Sequence, residues 1–176
     1  MGKRATVSGF TLIEILVVLI VVGLLAALAV MNLGGGSQQR ELENHVREMF
    51  LLMQTVSEQA VLNNKELGLA LEEDSYRFVT FDEQANEWKE SGERMFRQRS
   101  FPEWLVITEF IESDTPRLAS EEDRLRPDIV FFSSGETTPF EVEFTIGSDS
   151  SYMHVLASDG VSPLEWRRPG SEGDER

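Results

Sequence analysis

The chain divides into three stretches according to the spacing of its apolar residues. The first, from Phe10 to Met31, is 22 residues long and carries a single charge, at Glu14. As a helix it would extend about 33 Å, which is enough to cross the hydrocarbon core of a bilayer. Two basic residues precede it, so the chain should keep its N-terminus in the cytoplasm and its remainder outside. We therefore predict a single transmembrane helix over residues 10–33.

The second stretch follows three consecutive glycines, residues 34–36. Each glycine destabilises a helix by about 1 kcal/mol relative to alanine, so the chain either breaks here or continues as one softened helix. We interpret the glycines as a flexible joint. From Gln38, apolar residues recur at intervals of 4, 3, 4, 3 and 4, the pattern of a helix with one buried face that ends near Asn63 and Asn64. This stripe consists of Leu42, Val46, Met49, Met53, Val56 and Ala60.

The third stretch has the short period of β-strands. Strands are predicted over residues 66–71, 76–81, 105–111, 128–132, 140–146, 152–157 and 163–166. The turn sequence Ser133 to Glu136 predicts a hairpin between the fourth and fifth of these strands. Asp159 and Gly160 mark another tight turn, and the charged residues 113–127 are predicted to form a surface loop. A helix lying on antiparallel β-sheet is therefore expected, which is an α+β fold.

Composition narrows the classes of function. The chain has 16 basic and 31 acidic residues, a net charge of −15, and no cysteine. The negative charge disfavours nucleic acid as a partner, since it repels phosphate backbones. The absence of cysteine excludes disulfides and a cysteine nucleophile.

No constellation of an active site is evident in the sequence. His45 and His154 lack metal-binding spacing and are predicted to be structural. The acidic runs 72–74 and 121–123 do not alternate oxygen ligands around a glycine as a calcium loop does, so we expect solvated loops. The three tryptophans, Trp88, Trp104 and Trp166, are expected to be anchors of the core or its edge. We predict no cofactor, no metal and no enzymatic activity.

The N-terminal stretch admits three interpretations. One is a secretory signal cleaved after Ala29, although the apolar run is longer than such signals usually have. Another is a plain membrane anchor, although an ionised Glu14 inside it costs about 2.5–3.5 kcal/mol on insertion scales. The third rests on the order Gly9, Phe10 and Glu14 ahead of the long apolar run. This order resembles the processing site of type IV prepilins and type II secretion pseudopilins, and we favour this third interpretation.

The resemblance implies a pilin-like architecture and specific roles for three residues. In that family a prepilin peptidase cuts after the glycine, here Gly9, and methylates the new N-terminal residue, here Phe10. The glutamate, here Glu14, acts in filament assembly. Residues 1–9 would then be a cleaved leader, residues 34–64 the joint and amphipathic helix, residues 65–169 a periplasmic β-rich domain, and residues 170–176 a polar tail.

Weaker cues relate the strand-rich half to one branch of the family. The segment from Val130 to Gly135, the strand entry at Pro139 and Phe140, and the late turn at Gly160 resemble the minor pseudopilin H family of type II secretion. That resemblance implies a structural subunit of the periplasmic pseudopilus, anchored in the bacterial inner membrane. Its expected partners are the prepilin peptidase, the major pseudopilin and other minor pseudopilins.

A type IV pilus minor pilin, acting in pilus assembly or DNA uptake, is the alternative. Without Lys3 and Arg4 the mature chain would carry 14 basic and 31 acidic residues, a net charge of −17, whereas DNA capture requires a basic surface. The one dense basic run is Arg94 to Arg99, followed by Phe101 and Trp104. We predict a solvated loop there.

Overall fold

A computed structural model describes residues 12–111 and 125–170, and for residues 26–35 it describes the backbone alone. The chain separates into two units at Gln38 and Gln39. One helix, α1 (Leu12–Asn63), contributes residues to both. Its backbone is helical through the glycines at residues 34–36. Of the two alternatives, a break or one continuous helix, the break is therefore wrong. The flexibility of the glycines stays a prediction.

The helix α1 ends where the sequence predicts. Asn64 has a φ of 50°, the left-handed conformation that closes many helices. The amide of Lys65 then donates to the carbonyl of Ala60 at 3.1 Å, and this bond satisfies one of the last helical carbonyls.

Within residues 12–111 and 125–170, nine strands follow the helix and form two antiparallel sheets. They are β1 (Leu67–Leu71), β2 (Ser75–Asp82), β3 (Glu87–Glu90), β4 (Arg99–Ser100), β5 (Leu105–Ile111), β6 (Ile129–Phe131), β7 (Phe140–Ile146), β8 (Asp149–Ser158) and β9 (Glu165–Arg167). The first sheet has the order β3-β2-β1-β6, with β4 also paired to β2, and the second has the order β5-β7-β8-β9. A short 3₁₀ helix, Arg94–Phe96, lies between β3 and β4. The predicted α+β architecture is confirmed.

One core joins the domain half of α1 to both sheets. All six stripe residues of α1 are at most 1% exposed, which confirms the predicted packing face. They belong to the same buried cluster as Phe78 and Phe131 of the first sheet and Phe144 and Leu156 of the second. A smaller cluster on the other face of the first sheet contains Val79, Trp88 and Val130.

The predicted hairpin between residues 128–132 and 140–146 is wrong. A turn does form, with Gly135 at a φ of 93°. However, β6 pairs with β1, whereas β7 pairs with β5 and β8 in the other sheet. Thr138 closes β6 by bonding Val130 through both its amide and its hydroxyl. Pro139 has no amide hydrogen to extend a ladder, so the chain leaves the first sheet at this point.

The sequence did not predict two of the strands, β3 and β4. In β3 a single apolar residue, Trp88, is buried between charged neighbours, so no alternation is visible in the sequence. β4 has only two residues, Arg99 and Ser100, which pair with Tyr76 and Ser75. Short polar strands of this kind are decided by the neighbour they pair with rather than by their own pattern.

Candidate processing and assembly site

The described start of α1 exposes apolar side chains in every direction. Each large apolar residue from 12 to 25 is between 48 and 84% exposed. An all-round apolar helix surface of this kind is expected in a membrane span or between packed helices, because a helix that faces water keeps a polar side. Among the described residues, no helix meets the length and hydropathy required of a membrane span.

Of the three predicted site residues, the structure describes Glu14. It lies in the first turn of α1 as described, exposed, among the apolar side chains of residues 12–25. Gly9 and Phe10, the predicted cleavage and methylation residues, lie outside the described residues. The N-terminal part of the predicted transmembrane helix, residues 10 and 11, also lies outside them.

The domain half of α1 is held by aromatic contacts as well as by its stripe. Phe50 packs against Trp166 of β9 with 5.8 Å between ring centroids, and the Trp166 indole N–H donates to His154 Nδ1 at 3.2 Å. Burial is the main cause that lowers the pKa of His154, which is 5% exposed, and Glu43 opposes it. The prediction that His154 is a structural histidine is consistent with this packing, since His154 Nδ1 accepts a hydrogen bond from Trp166.

The basic run before β5 is fixed to the domain. Phe96 is 2% exposed and packs on Phe78, with ring centroids 5.3 Å apart. Arg99 Nε donates to Glu48 Oε1 of α1 at 3.0 Å. The prediction of a solvated loop is therefore correct for Arg94 and Arg97, which are exposed. It is wrong for Phe96, which is buried.

The tryptophans and the remaining acidic residues take structural positions. Trp88 is 3% exposed, and Trp104 and Trp166 pack against the main core from partly buried positions, as predicted. Glu72 forms an ion pair with Arg77. Within residues 12–111 and 125–170 no group of three or more potential ligands is placed to hold a metal. The acidic run 121–123 lies outside those ranges.

The structure contains an acidic cleft between the two sheets that the sequence did not predict. It has a volume of about 870 Å³, with an apolar floor of Leu71, Phe101, Leu105 and Ile107 and an acidic rim of Glu72, Glu73, Asp74, Glu103 and Glu109. Burial, and secondarily the charge of Asp128, raises the pKa of Glu109. The alternation of β5 held the missing signal, because it puts Glu109 on the same face as Leu105 and Ile107.

Two family models match the sequence. The model described as type II transport protein GspH matches residues 45–160, and the one described as the prokaryotic N-terminal methylation motif matches residues 4–30. The type II secretion system protein H of Pseudomonas aeruginosa is 31% identical over 159 residues, covering 86% of this chain and 91% of that protein. Its counterpart in Aeromonas hydrophila is 26% identical, covering 92% and 94%.

Solved structures share the fold. The minor pseudopilin EpsH from the type 2 secretion system of Vibrio cholerae superposes with a TM-score of 0.61 at 18% identity, covering 74% of this chain and 98% of that one. The solution structure of Escherichia coli GspH gives a TM-score of 0.56 at 15% identity, covering 77% and 93%. At these identities the likeness concerns the arrangement of the helix and the two sheets.

Proposed function

The chain belongs to the type II transport protein GspH family, and on that premise we propose that it is a minor pseudopilin, a structural subunit of the periplasmic pseudopilus that drives protein export by type II secretion. One observation carries the proposal: a methylation motif at residues 4–30 and a GspH match at residues 45–160 occur in one chain. We expect its role to be structural, without catalysis.

We propose that the prepilin peptidase cuts after Gly9 and methylates the amine of Phe10. The cut would free a cationic amine at the start of the apolar run. Glu14 would then be the only other charge before Arg40. An amine and a carboxylate are each costly in hydrocarbon, and that cost falls when they pair.

We propose that Glu14 pairs with the Phe10 amine of a neighbouring subunit. The side chain of Glu14 is exposed on the surface of α1, among the apolar side chains of residues 12–25. Such a pair would fix the axial register between subunits, because Glu14 is the one polar side chain among the described residues 12–25.

We propose that the mature chain spans the inner membrane once, with its N-terminus cytoplasmic and its domain periplasmic. The all-round exposure of the apolar residues 12–25 supports this placement. The same surface would pack against the apolar helices of the major pseudopilin and the other minor pseudopilins. Within the assembly we expect these helix contacts to be the main ones.

The first test is the intact mass of the protein purified from membranes of cells with an active prepilin peptidase. We expect the loss of residues 1–9 and the gain of one methyl group. Gly9→Val should abolish both changes, whereas Gly2→Val, a matched change within the leader, should leave them intact. A mass beginning at Met1 in wild type would overturn the processing proposal.

A second test separates assembly from processing. Glu14→Ala should be cleaved normally yet fail to co-purify with the major pseudopilin after crosslinking in membranes. Glu41→Ala, in the same helix but beyond the apolar run, is the control and should assemble as wild type does. Equal assembly of both variants would contradict the role of Glu14.

The third test addresses the secretion system. Deletion of the gene should block export of a type II secretion substrate and leave DNA uptake unchanged. A loss of DNA uptake with normal export would instead favour the alternative of a type IV pilus minor pilin.

A further inference from the structure

The acidic cleft lies beside an open edge of the second sheet. On one side β5 pairs with β7 over all of its seven residues, and among the described residues no strand pairs with its other side. An unpaired strand of this length presents a row of backbone donors and acceptors to another chain. The edge itself is therefore a potential binding element.

The hydrogen-bond alternation identifies which backbone groups face outward. Gly147 N donates to Trp104 O at 2.9 Å, which makes this pair the hydrogen-bonded one at the start of β5. In an antiparallel ladder the bonded pairs alternate, so the amides and carbonyls of Ile107 and Glu109 point away from β7. Leu105 follows the same rule, since its amide donates outward to Pro102 O at 2.9 Å.

The side chains at this edge are suited to an extended segment with alternating chemistry. Leu71 and Ile107 provide partly buried apolar surface at the floor of the cleft. Five carboxylates line the cleft. Glu72 forms an ion pair with Arg77, and the other four have no ion pair within the described part of the chain: Glu73, Asp74, Glu103 and Glu109. Such a rim attracts cations and repels acidic segments.

We propose that the acidic cleft is a docking site for an extended, basic segment of a second protein, which adds a strand to the free edge of β5. Its apolar residues fill the floor, its alternate lysines or arginines meet the rim, and its backbone bonds Ile107 and Glu109. This is strand addition, in which the backbone supplies affinity and the alternate side chains supply specificity.

A second copy of this chain is a poor occupant. The chain has a net charge of −15. Its densest basic run exposes Arg94 and Arg97, but it is held as a short 3₁₀ helix with Arg99 bound to Glu48, so it does not offer an extended strand. The charge complementarity therefore favours a different, basic partner. The proposal does not depend on the secretion role, because it rests on the cleft and the strand edge alone.

A peptide titration tests the site on the full-length protein in neutral detergent micelles. The probe is a fluorescein-labelled seven-residue peptide of alternating lysine and valine, followed by fluorescence anisotropy with empty micelles as blank. We expect saturable binding, at least tenfold weaker for Glu109→Lys. Glu58→Lys, which makes the same charge change on the exposed face of α1, should bind as wild type. No binding to wild type, or equal loss in both variants, would overturn the proposal.

Modified peptides test the strand pairing without altering the protein. Two versions of the probe carry N-methyl groups on either the odd or the even residues, so that each blocks one edge of the peptide strand. One version should lose binding and the other should keep it, because a single edge faces β5. Equal binding of the two versions would show attraction by charge without strand addition and would refute the proposed mode. This measurement remains decisive even if Glu109→Lys does not fold.

Discussion

The two ends of helix α1 differ in how their apolar residues are used. In residues 12–25 every large apolar side chain is at least 48% exposed, so no face of the helix is buried. In the second half the residues Leu42, Val46 and Met53 are completely buried, while Leu51 and Leu62 remain on the outer face. Both ends are helical, and both are rich in apolar residues.

The comparison shows that the periodicity of the apolar residues, rather than their number, decides which apolar surface is buried within the chain. A stripe with intervals of three and four residues matches one sheet surface and is buried by it. An unbroken run presents apolar atoms all round the helix, more than one protein surface can cover. Its burial therefore depends on surroundings outside this chain, such as lipid or neighbouring helices.

The stability of the domain should respond very differently to an aspartate placed in one or the other end of α1. Val46→Asp puts an unpaired carboxylate in the core, and we expect a loss of unfolding free energy on the order of 4 kcal/mol or more. Val18→Asp changes a residue that is 52% exposed and should leave domain stability unaltered. Urea unfolding of the full chain in micelles, followed by fluorescence of Trp88, Trp104 and Trp166, measures both. Equal destabilisation would contradict the distinction between the two ends.

A glycine pair gives the next largest contrast, with opposite signs. A Cβ added to Gly68 of β1 would lie 2.5 Å from Cβ and Cγ of Pro127, so Gly68→Ala should cost about 1–3 kcal/mol through overpacking. A Cβ at Gly23 would meet nothing within 4 Å. Gly23→Ala should therefore strengthen the helix by about 0.5–1 kcal/mol.

The two glycine variants need different measurements. Urea unfolding of the domain reports on Gly68→Ala, and the temperature dependence of helical circular dichroism reports on Gly23→Ala. A neutral effect of Gly68→Ala would mean that Pro127 can move away from β1.

A smaller effect should appear in the response of the domain to acid. The pKa of His154 is lowered from its ordinary value of 6.5, mainly by burial. Between the lowered pKa and 6.5 the unfolded chain binds more protons than the folded one, so stability falls as the pH falls through that window. His154→Gln should flatten the dependence of unfolding free energy on pH there, by at most about 1.4 kcal/mol per pH unit.

The control for this prediction is the pH range near 8, where His154 is neutral in both the folded and the unfolded chain. Wild type and His154→Gln should there show the same dependence of unfolding free energy on pH. His154 is linked to the domain half of α1 through Trp166, which donates a hydrogen bond to His154 and packs against Phe50. An unchanged slope in His154→Gln would show that other groups cause the acid response.

The smallest effect concerns the polar surface of the same helix half. Arg47 donates to Glu43 Oε1 at 2.7 Å, one helical turn apart. Both side chains are substantially exposed, so Glu43→Gln should cost about 0.3–0.5 kcal/mol. The difference should shrink in 1 M salt, where exposed charges are screened. A loss above that of Gly68→Ala would mean that surface charge contributes as much to stability as packing.

The buried stripe and the long alternating strands could be predicted because each is encoded locally. β5 and β7 occupy the residues that their alternation indicates, 105–111 and 140–146. The pairing of β6 could not be inferred in this way. A turn at Gly135 is compatible with a hairpin or with a crossing between sheets, and the distant strand β1 determines the outcome.

Local sequence patterns encode the two kinds of helix surface, the helix end at Asn64, and the order of residues on which processing and assembly are proposed. These properties depend on neighbours within a few residues along the chain. In contrast, long-range strand pairing places β6 and β7 in different sheets and brings Glu73 and Glu109 to one cleft. Their meeting depends on strand pairings between distant residues, because backbone hydrogen bonds are nearly indifferent to sequence and packing selects among the possible partners.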